Sequence, residues 1–190
     1  MSDIAQRAGI VEGTLYRFFE TRQELLIRVA EDWFHEQLVS DSGLASIRGT
    51  WNKLRHLVWR SLSIIRQNPA LSRFVLTEIR PNPNYRSTKL FELNRRFTAE
   101  ISSLCEKAIT SGEFRDDVSA HMLRDMIFGS IEHRTWAFLR GEGDFSIDEV
   151  ADGIANVIYR GMLAQPTHEA GDLSRVVKRL EKVAEKLERR

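Results

Sequence analysis

Within residues 12–22 the chain gathers Glu12, Gly13, Thr14, Tyr16, Arg17 and Arg22, a set rich in small and hydrogen-bonding side chains. The hydroxyls of Thr14 and Tyr16 and the guanidinium groups of Arg17 and Arg22 can donate to phosphate oxygens and base edges. Gly13, with no side chain, allows close backbone approach. Nothing in the set pairs a nucleophile with a base, so its chemistry is recognition rather than bond making. Two short helices must carry it. Ile4, Ala5 and Ala8 give the first an apolar side, and Gly9 supplies a turn where left-handed backbone costs least. Leu15, Phe18 and Phe19 give the second a buried face at helical spacing. Two short helices at a steep angle, the second exposing small polar groups, form a unit that fits the major groove of DNA.

The residue identities say more than the spacing. From Asp3 to Leu26 the run Asp-Ile-Ala-x-x-Ala-Gly-Ile-x-x-Gly-Thr-Leu-Tyr-Arg-x-Phe-x-x-Arg-x-Glu-Leu-Leu closely resembles the DNA-binding signature of TetR-family transcriptional regulators. The resemblance implies an all-helical protein with an N-terminal helix-turn-helix head and a C-terminal helical bundle for ligand binding and dimerisation. It places Gly13, Thr14, Tyr16 and Arg17 in the groove, with Tyr16 on a phosphate, and puts Arg22 on a phosphate at the start of the next helix. Val11 and Glu12 depart from the pattern, which often has Ser and in some members a cation there. The family also has an amphipathic helix ahead of this pair, whereas this chain opens directly on the second helix. The expectation is that Ile4, Leu15 and Phe19 are partly uncovered and the head loosened.

Charge adds a second tension. Residues 1–40 hold Arg7, Arg17, Arg22 and Arg28 against Asp3, Glu12, Glu20, Glu24, Glu31, Asp32 and Glu36, a net −3 in a segment expected to approach phosphates. The whole chain of 190 residues carries +1, with 42% apolar and 29% charged residues, as a soluble globular protein does. No apolar stretch is long enough to span a membrane and no signal peptide opens the chain. A single cysteine, Cys105, cannot form an internal disulfide and reads as a buried small residue. A cytoplasmic location fits, with no membrane partner.

Behind the motif, Thr21-Arg22-Gln23-Glu24 is a capping box opening a helix to about Leu38, with Leu25, Leu26, Val29, Trp33 and Phe34 as its apolar face. Asp41-Ser42-Gly43 then breaks the chain, which places a domain boundary near 40. Further helices are predicted over about 45–67, from Asn68-Pro69 to Arg80, over 85–111, over 119–139 and over 146–165. The body thus covers 41–168. From 169 to 190 an amphipathic stretch carries Leu173, Val177, Leu180 and Leu187 among charges. Nothing alternates with a two-residue period for long enough to suggest a sheet.

In the body, Trp51, Trp59, Phe74, Phe91, Phe97, Met122, Met126 and Trp136 are aromatic or flexible side chains of the kind that line a pocket. The family resemblance implies such a pocket, for a small lipophilic effector. Gly112-Glu113-Phe114-Arg115 and Arg124-Asp125-Met126-Ile127-Phe128-Gly129 are similar to regulators of fatty-acid metabolism that sense acyl-CoA, which suggests that ligand class. The last two body helices supply the candidate homodimer interface: Ile127, Gly129, Ile131, Phe138, Val150, Ile154, Val157 and Met162. Glu132-His133-Arg134 is polar within an apolar helix and belongs either at that interface or against ligand. His121 and Asp125 share a helix face but lack a third ligand, so no metal site, cofactor or catalytic group is assigned. The reading is a repressor released from a palindromic double-stranded operator by its effector. The rival is a dimeric helical small-molecule-binding protein that has lost DNA binding, motivated by the absent first helix and the acidic 1–40 segment.

Overall fold

A computed structural model describes residues 1–39, 43–164 and 177–180. Among them all regular structure is helical, apart from one isolated antiparallel bridge between Phe114 and Leu163. The head holds α1 (Ser2–Ala8) and α2 (Glu12–Tyr16), followed by α3 (Arg22–Val39). The body holds α4 (Thr50–Gln67), α5 (Pro69–Phe74), α6 (Lys89–Thr110), α7 (Ala120–Arg140) and α8 (Ile147–Met162). None is long and apolar enough to cross a membrane.

Local sequence sets the ends of these helices. Gly9 closes α1 in the left-handed region at φ 69°. Ser119 and Ser146 cap α7 and α8 by accepting from the Met122 and Glu149 amides. At α3 the Thr21 hydroxyl accepts from the Glu24 amide at 3.0 Å, while the Glu24 carboxylate takes the Glu20 amide at 2.8 Å, one residue beyond the cap amide of the ideal box.

Two helix starts differ from the sequence expectation, and α8 ends at Met162 rather than near 165. The helix expected from 45 starts at Thr50, because Gly49 at φ 82° and ψ 141° cannot be helical; Leu44–Ser46 forms a short 3₁₀ turn instead. The helix expected from 85 starts at Lys89, where the Thr88 hydroxyl caps it, after a 3₁₀ turn at Tyr85–Ser87. Asn68 makes no side-chain cap bond to α5, although Pro69 takes the first helical turn as expected. The 169–190 stretch lies outside the described residues except for 177–180, which are helical and exposed.

Two apolar clusters hold the body. The larger joins α4, α6, α7 and α8 through Leu54, Val58, Leu62, Ile101, Leu123, Ile127, Ile131 and Ala151, each at most 2% exposed. The smaller docks α3 on α5 and the start of α6 through Ala30, Phe34, Phe74, Val75 and Leu90. Val29, expected on the buried face of α3, is 44% exposed, since the helix turns Ala30 inward beside Phe34. The α3 helix is therefore part of the body at its C-terminal half and carrier of the head at its N-terminal end.

Candidate nucleic-acid interface and ligand cavity

The head has a small core of its own. Ala5 is 2% and Leu15 8% exposed, with Ile4 and Phe19 half-buried, so Leu15 is covered more fully than expected. Phe18, expected inside, is 66% exposed: α2 stops at Tyr16, so Phe18 falls in the following turn and loses helical register. Ala8 is exposed as well.

Of the six candidate DNA-contacting residues, Gly13, Tyr16, Arg17 and Arg22 are exposed, while Glu12 and Thr14 are half-buried. A side chain at Gly13 would meet nothing within 4 Å, so the surface there is open. The Arg17 guanidinium lies 5.3 Å over the Phe18 ring, which holds it beside α2. The acidic balance of residues 1–40 resolves along α3. Glu31, Asp32 and Glu36 sit on the body half, where Arg28 pairs with Glu31 and Asp32 and Lys89 approaches Glu31 at 4.0 Å. Up to residue 22 the three arginines are matched by Asp3, Glu12 and Glu20, so the head itself is neutral.

A cavity of about 120 Å³ lies at the seam between the two clusters. Trp33, Phe34 and Gln37 of α3 form one wall; Ser61, Ile64 and Ile65 of α4 and Asn94 and Phe97 of α6 face them. Phe128, Ile131 and Glu132 of α7, with Ser72, Val75, Leu76 and Arg80, complete it. Val75–Ile79 is a π turn, marked by the Arg80 amide donating to the Val75 carbonyl at 2.9 Å, so the wall contains a wound segment of the kind frequent at binding sites. Arg80 and Glu132 pair across it at 2.7 Å. Beside it, Arg60 of α4 donates to the Glu100 carboxylate at 2.8 Å and to the Gln37 carbonyl, and stacks 5.4 Å over Phe97. Arg60 thus ties the end of α3 to α4 and α6.

The eight pocket candidates scatter. Phe97 lies on the cavity wall. Trp51 instead donates its indole N–H to Asn156 at 3.0 Å between α4 and α8. Phe74 is core of the smaller cluster, and Phe91 packs edge-on to Tyr85 at 5.4 Å. Trp136 is half-buried off the wall. Trp59, Met122 and Met126 are 37%, 54% and 50% exposed, so side-chain type alone misplaced them. Trp33 and Phe34, read simply as the apolar face of α3, are the wall residues that reading missed; their signal was a wide aromatic stripe on a helix that also holds the head.

The dimer candidates divide similarly. Ile127, Ile131 and Met162 are at most 4% exposed and are spent inside their own protomer. Phe138, Val150 and Ile154 are half-buried, Gly129 is exposed and Val157 is 72% exposed. Phe138 packs against Phe145 at 5.3 Å and beneath Arg66, off the outer face. With Met122 and Met126, the residues Gly129, Val150, Ile154 and Val157 define an outward stripe on α7 and α8 that also contains Gly153 and Gly161. A side chain at Gly129, Gly153 or Gly161 would meet nothing within 4 Å in the protomer. His133 and Arg134 are exposed; Asp125 lies 3.5 Å from His121 and is held by Arg124 at 2.6 Å.

The profile described as "Tetracyclin repressor-like, C-terminal domain" matches residues 48–162, and "Bacterial regulatory proteins, tetR family" matches 1–29. The chain belongs to the TetR family. The fatty acid metabolism regulator protein of Bacillus subtilis is 20% identical to this TetR-family chain over 165 residues, covering 85% of this chain and 84% of that one. The HTH-type transcriptional repressor KstR2 of Rhodococcus jostii is 29% identical over 174 residues, covering 86% and 80%. The fold matches that of the Bacillus subtilis regulator FadR solved in complex with stearoyl-CoA, with a TM-score of 0.72 at 20% identity over 85% of this chain and 87% of that one. The chain is thus a TetR-family transcriptional regulator with a helix-turn-helix head, related to regulators of fatty-acid metabolism.

Proposed function

We propose that the chain is a homodimeric repressor that binds a palindromic operator and releases it when a small lipophilic effector, of fatty-acid or acyl-CoA chemistry, enters the body cavity. One observation carries this reading: α3 walls the cavity with Trp33, Phe34 and Gln37 and bears the head at its other end. At about 120 Å³ the cavity is smaller than the roughly 300–1,000 Å³ of most ligand sites, so an effector must part its walls. Parting them moves α3 and the heads with it. The effector then favours a head spacing unsuited to DNA, by no more than its differential affinity for the two states.

The stearoyl-CoA bound by the related regulator supports the effector class. Dimerisation is supported by the stripe on α7 and α8. A glycine within a helix costs about 0.5–1 kcal/mol against alanine, and nothing within the protomer uses the space at Gly129, Gly153 or Gly161. A facing helix pair from a second copy would. Two heads related by that symmetry would present Gly13, Tyr16, Arg17 and Arg22 to successive major grooves.

The test is fluorescence anisotropy of a duplex from immediately upstream of the gene, titrated with protein at several salt concentrations and then with palmitoyl-CoA. Affinity should fall steeply with salt and the complex should dissociate on ligand addition. Binding of palmitoyl-CoA with no affinity for the duplex would instead favour the ligand-binding protein that lacks DNA function.

A further inference from the structure

The geometry points to an effector that carries a neutral carbonyl oxygen, read inside the cavity by the indole N–H of Trp33. The inference rests on the cavity being the effector site. Its wall is mostly apolar, built from Phe34, Ile64, Val75 and Phe97 among others. Two residues of that wall carry a polar atom buried with no hydrogen-bond partner among the described residues, Trp33 Nε1 and Ser72 Oγ, and parting the walls would open both to a ligand. Three of the other polar side chains there are committed. The Ser61 hydroxyl donates to the Leu57 carbonyl at 2.9 Å, and Arg80 pairs with Glu132 at 2.7 Å.

An indole N–H can only donate, so what satisfies it must accept. Leaving such a donor buried and unpaired is unfavourable, a loss that a ligand oxygen would recover on binding. Ser72, 5% exposed, offers a second donor on the same wall. The oxygen is neutral because Arg80 is already neutralised by Glu132. A carboxylate beside Trp33 would be a buried charge without a counter-ion. A ketone, ester or thioester carbonyl meets these demands; a plain hydrocarbon and a free carboxylate do not. Because Trp33 belongs to α3, the carbonyl would be fastened to the helix that carries the head.

The test uses two isosteric probes, β-acetylnaphthalene and β-ethylnaphthalene, which differ by one carbonyl oxygen. Calorimetric titration of the full chain should show the ketone binding about tenfold more tightly, the effect of one hydrogen bond. Trp33→Phe should remove most of that preference by weakening the ketone alone, its retained binding of the hydrocarbon certifying a folded cavity. Ser72→Ala should reduce the preference without removing it. Independently of any variant, the ketone but not the hydrocarbon should move one indole N–H resonance of the wild-type protein downfield. Equal binding of the two probes, an unmoved indole resonance, or a preference undiminished by Trp33→Phe overturns the inference while leaving the cavity as the effector site. Failure of both probes to bind overturns the cavity reading as well.

Discussion

Arg60→Ala tests whether α3 is mechanically tied to the body. The Arg60 side chain is 15% exposed and makes three contacts at once. The bond to the Gln37 carbonyl is charge-assisted and, in this half-buried setting, contributes about 1.5–2 kcal/mol. The pair with Glu100, whose side chain is 37% exposed, is discounted for solvent screening to about 0.5 kcal/mol. The stack on Phe97 adds roughly 0.5–1 kcal/mol. The variant should therefore lose on the order of 3 kcal/mol, which for a chain of this size lowers the melting temperature by about 6–12 °C. Arg55→Ala is the control: Arg55 pairs with Asp148 and Asp152, which ties α4 to α8. It should cost stability without altering the response of operator binding to palmitoyl-CoA, whereas Arg60→Ala should blunt that response. Thermal unfolding followed by circular dichroism, with anisotropy of the operator complex, reads both effects. A loss under about 0.5 kcal/mol for Arg60→Ala, or identical behaviour of the two variants in both assays, would refute the tie.

Three further outcomes are expected. Val157→Asp places a charge on the outward stripe at a residue 72% exposed, so sedimentation should show monomers with unchanged helix content; an intact dimer would remove the stripe as the interface. Arg17→Ala should weaken operator binding and lower the slope of log affinity against log salt by about 0.9, the value for one phosphate contact; an unchanged slope would take Arg17 off the backbone. Burial, and to a lesser degree the charge of Glu106, pushes the Cys105 thiol from its ordinary 9.0 up to about 11. Its proton is held more tightly in the folded chain, so its contribution to stability is complete below pH 9.0 and is lost as pH rises toward 11. Ellman's reagent at pH 8 should react only after denaturation, and rapid reaction with the native chain would contradict this.

Helix existence was legible wherever local chemistry marks it. Gly9, Thr21, Ser119 and Ser146 bound their helices as the sequence implies, because cap and turn residues act on their own neighbours. Boundaries slipped where one residue's backbone overrode a periodic pattern, as Gly49 does before α4. The exposure of Gly13, Tyr16 and Arg17 could be read because a short motif fixes it. The cavity could not, because its wall is a tertiary seam joining five separate stretches. Nothing in the type of Met122 or Trp59 says that it points outward, and nothing in Ser72 says that it points inward. Likewise Ile127 and Ile131 were spaced well for a partner, but α4 and α6 of the same protomer reached them first.

The neutrality of the head bears on how such a protein searches a chromosome. Asp3, Glu12 and Glu20 repel every stretch of duplex alike, whatever its sequence. Their penalty therefore cancels when one site is compared with another, and lowers the hold on operator and bulk DNA alike. A regulator of this kind spends little time parked on irrelevant sequence. On the proposed reading, occupancy at the operator then depends on a ratio of affinities across competing sites rather than on grip.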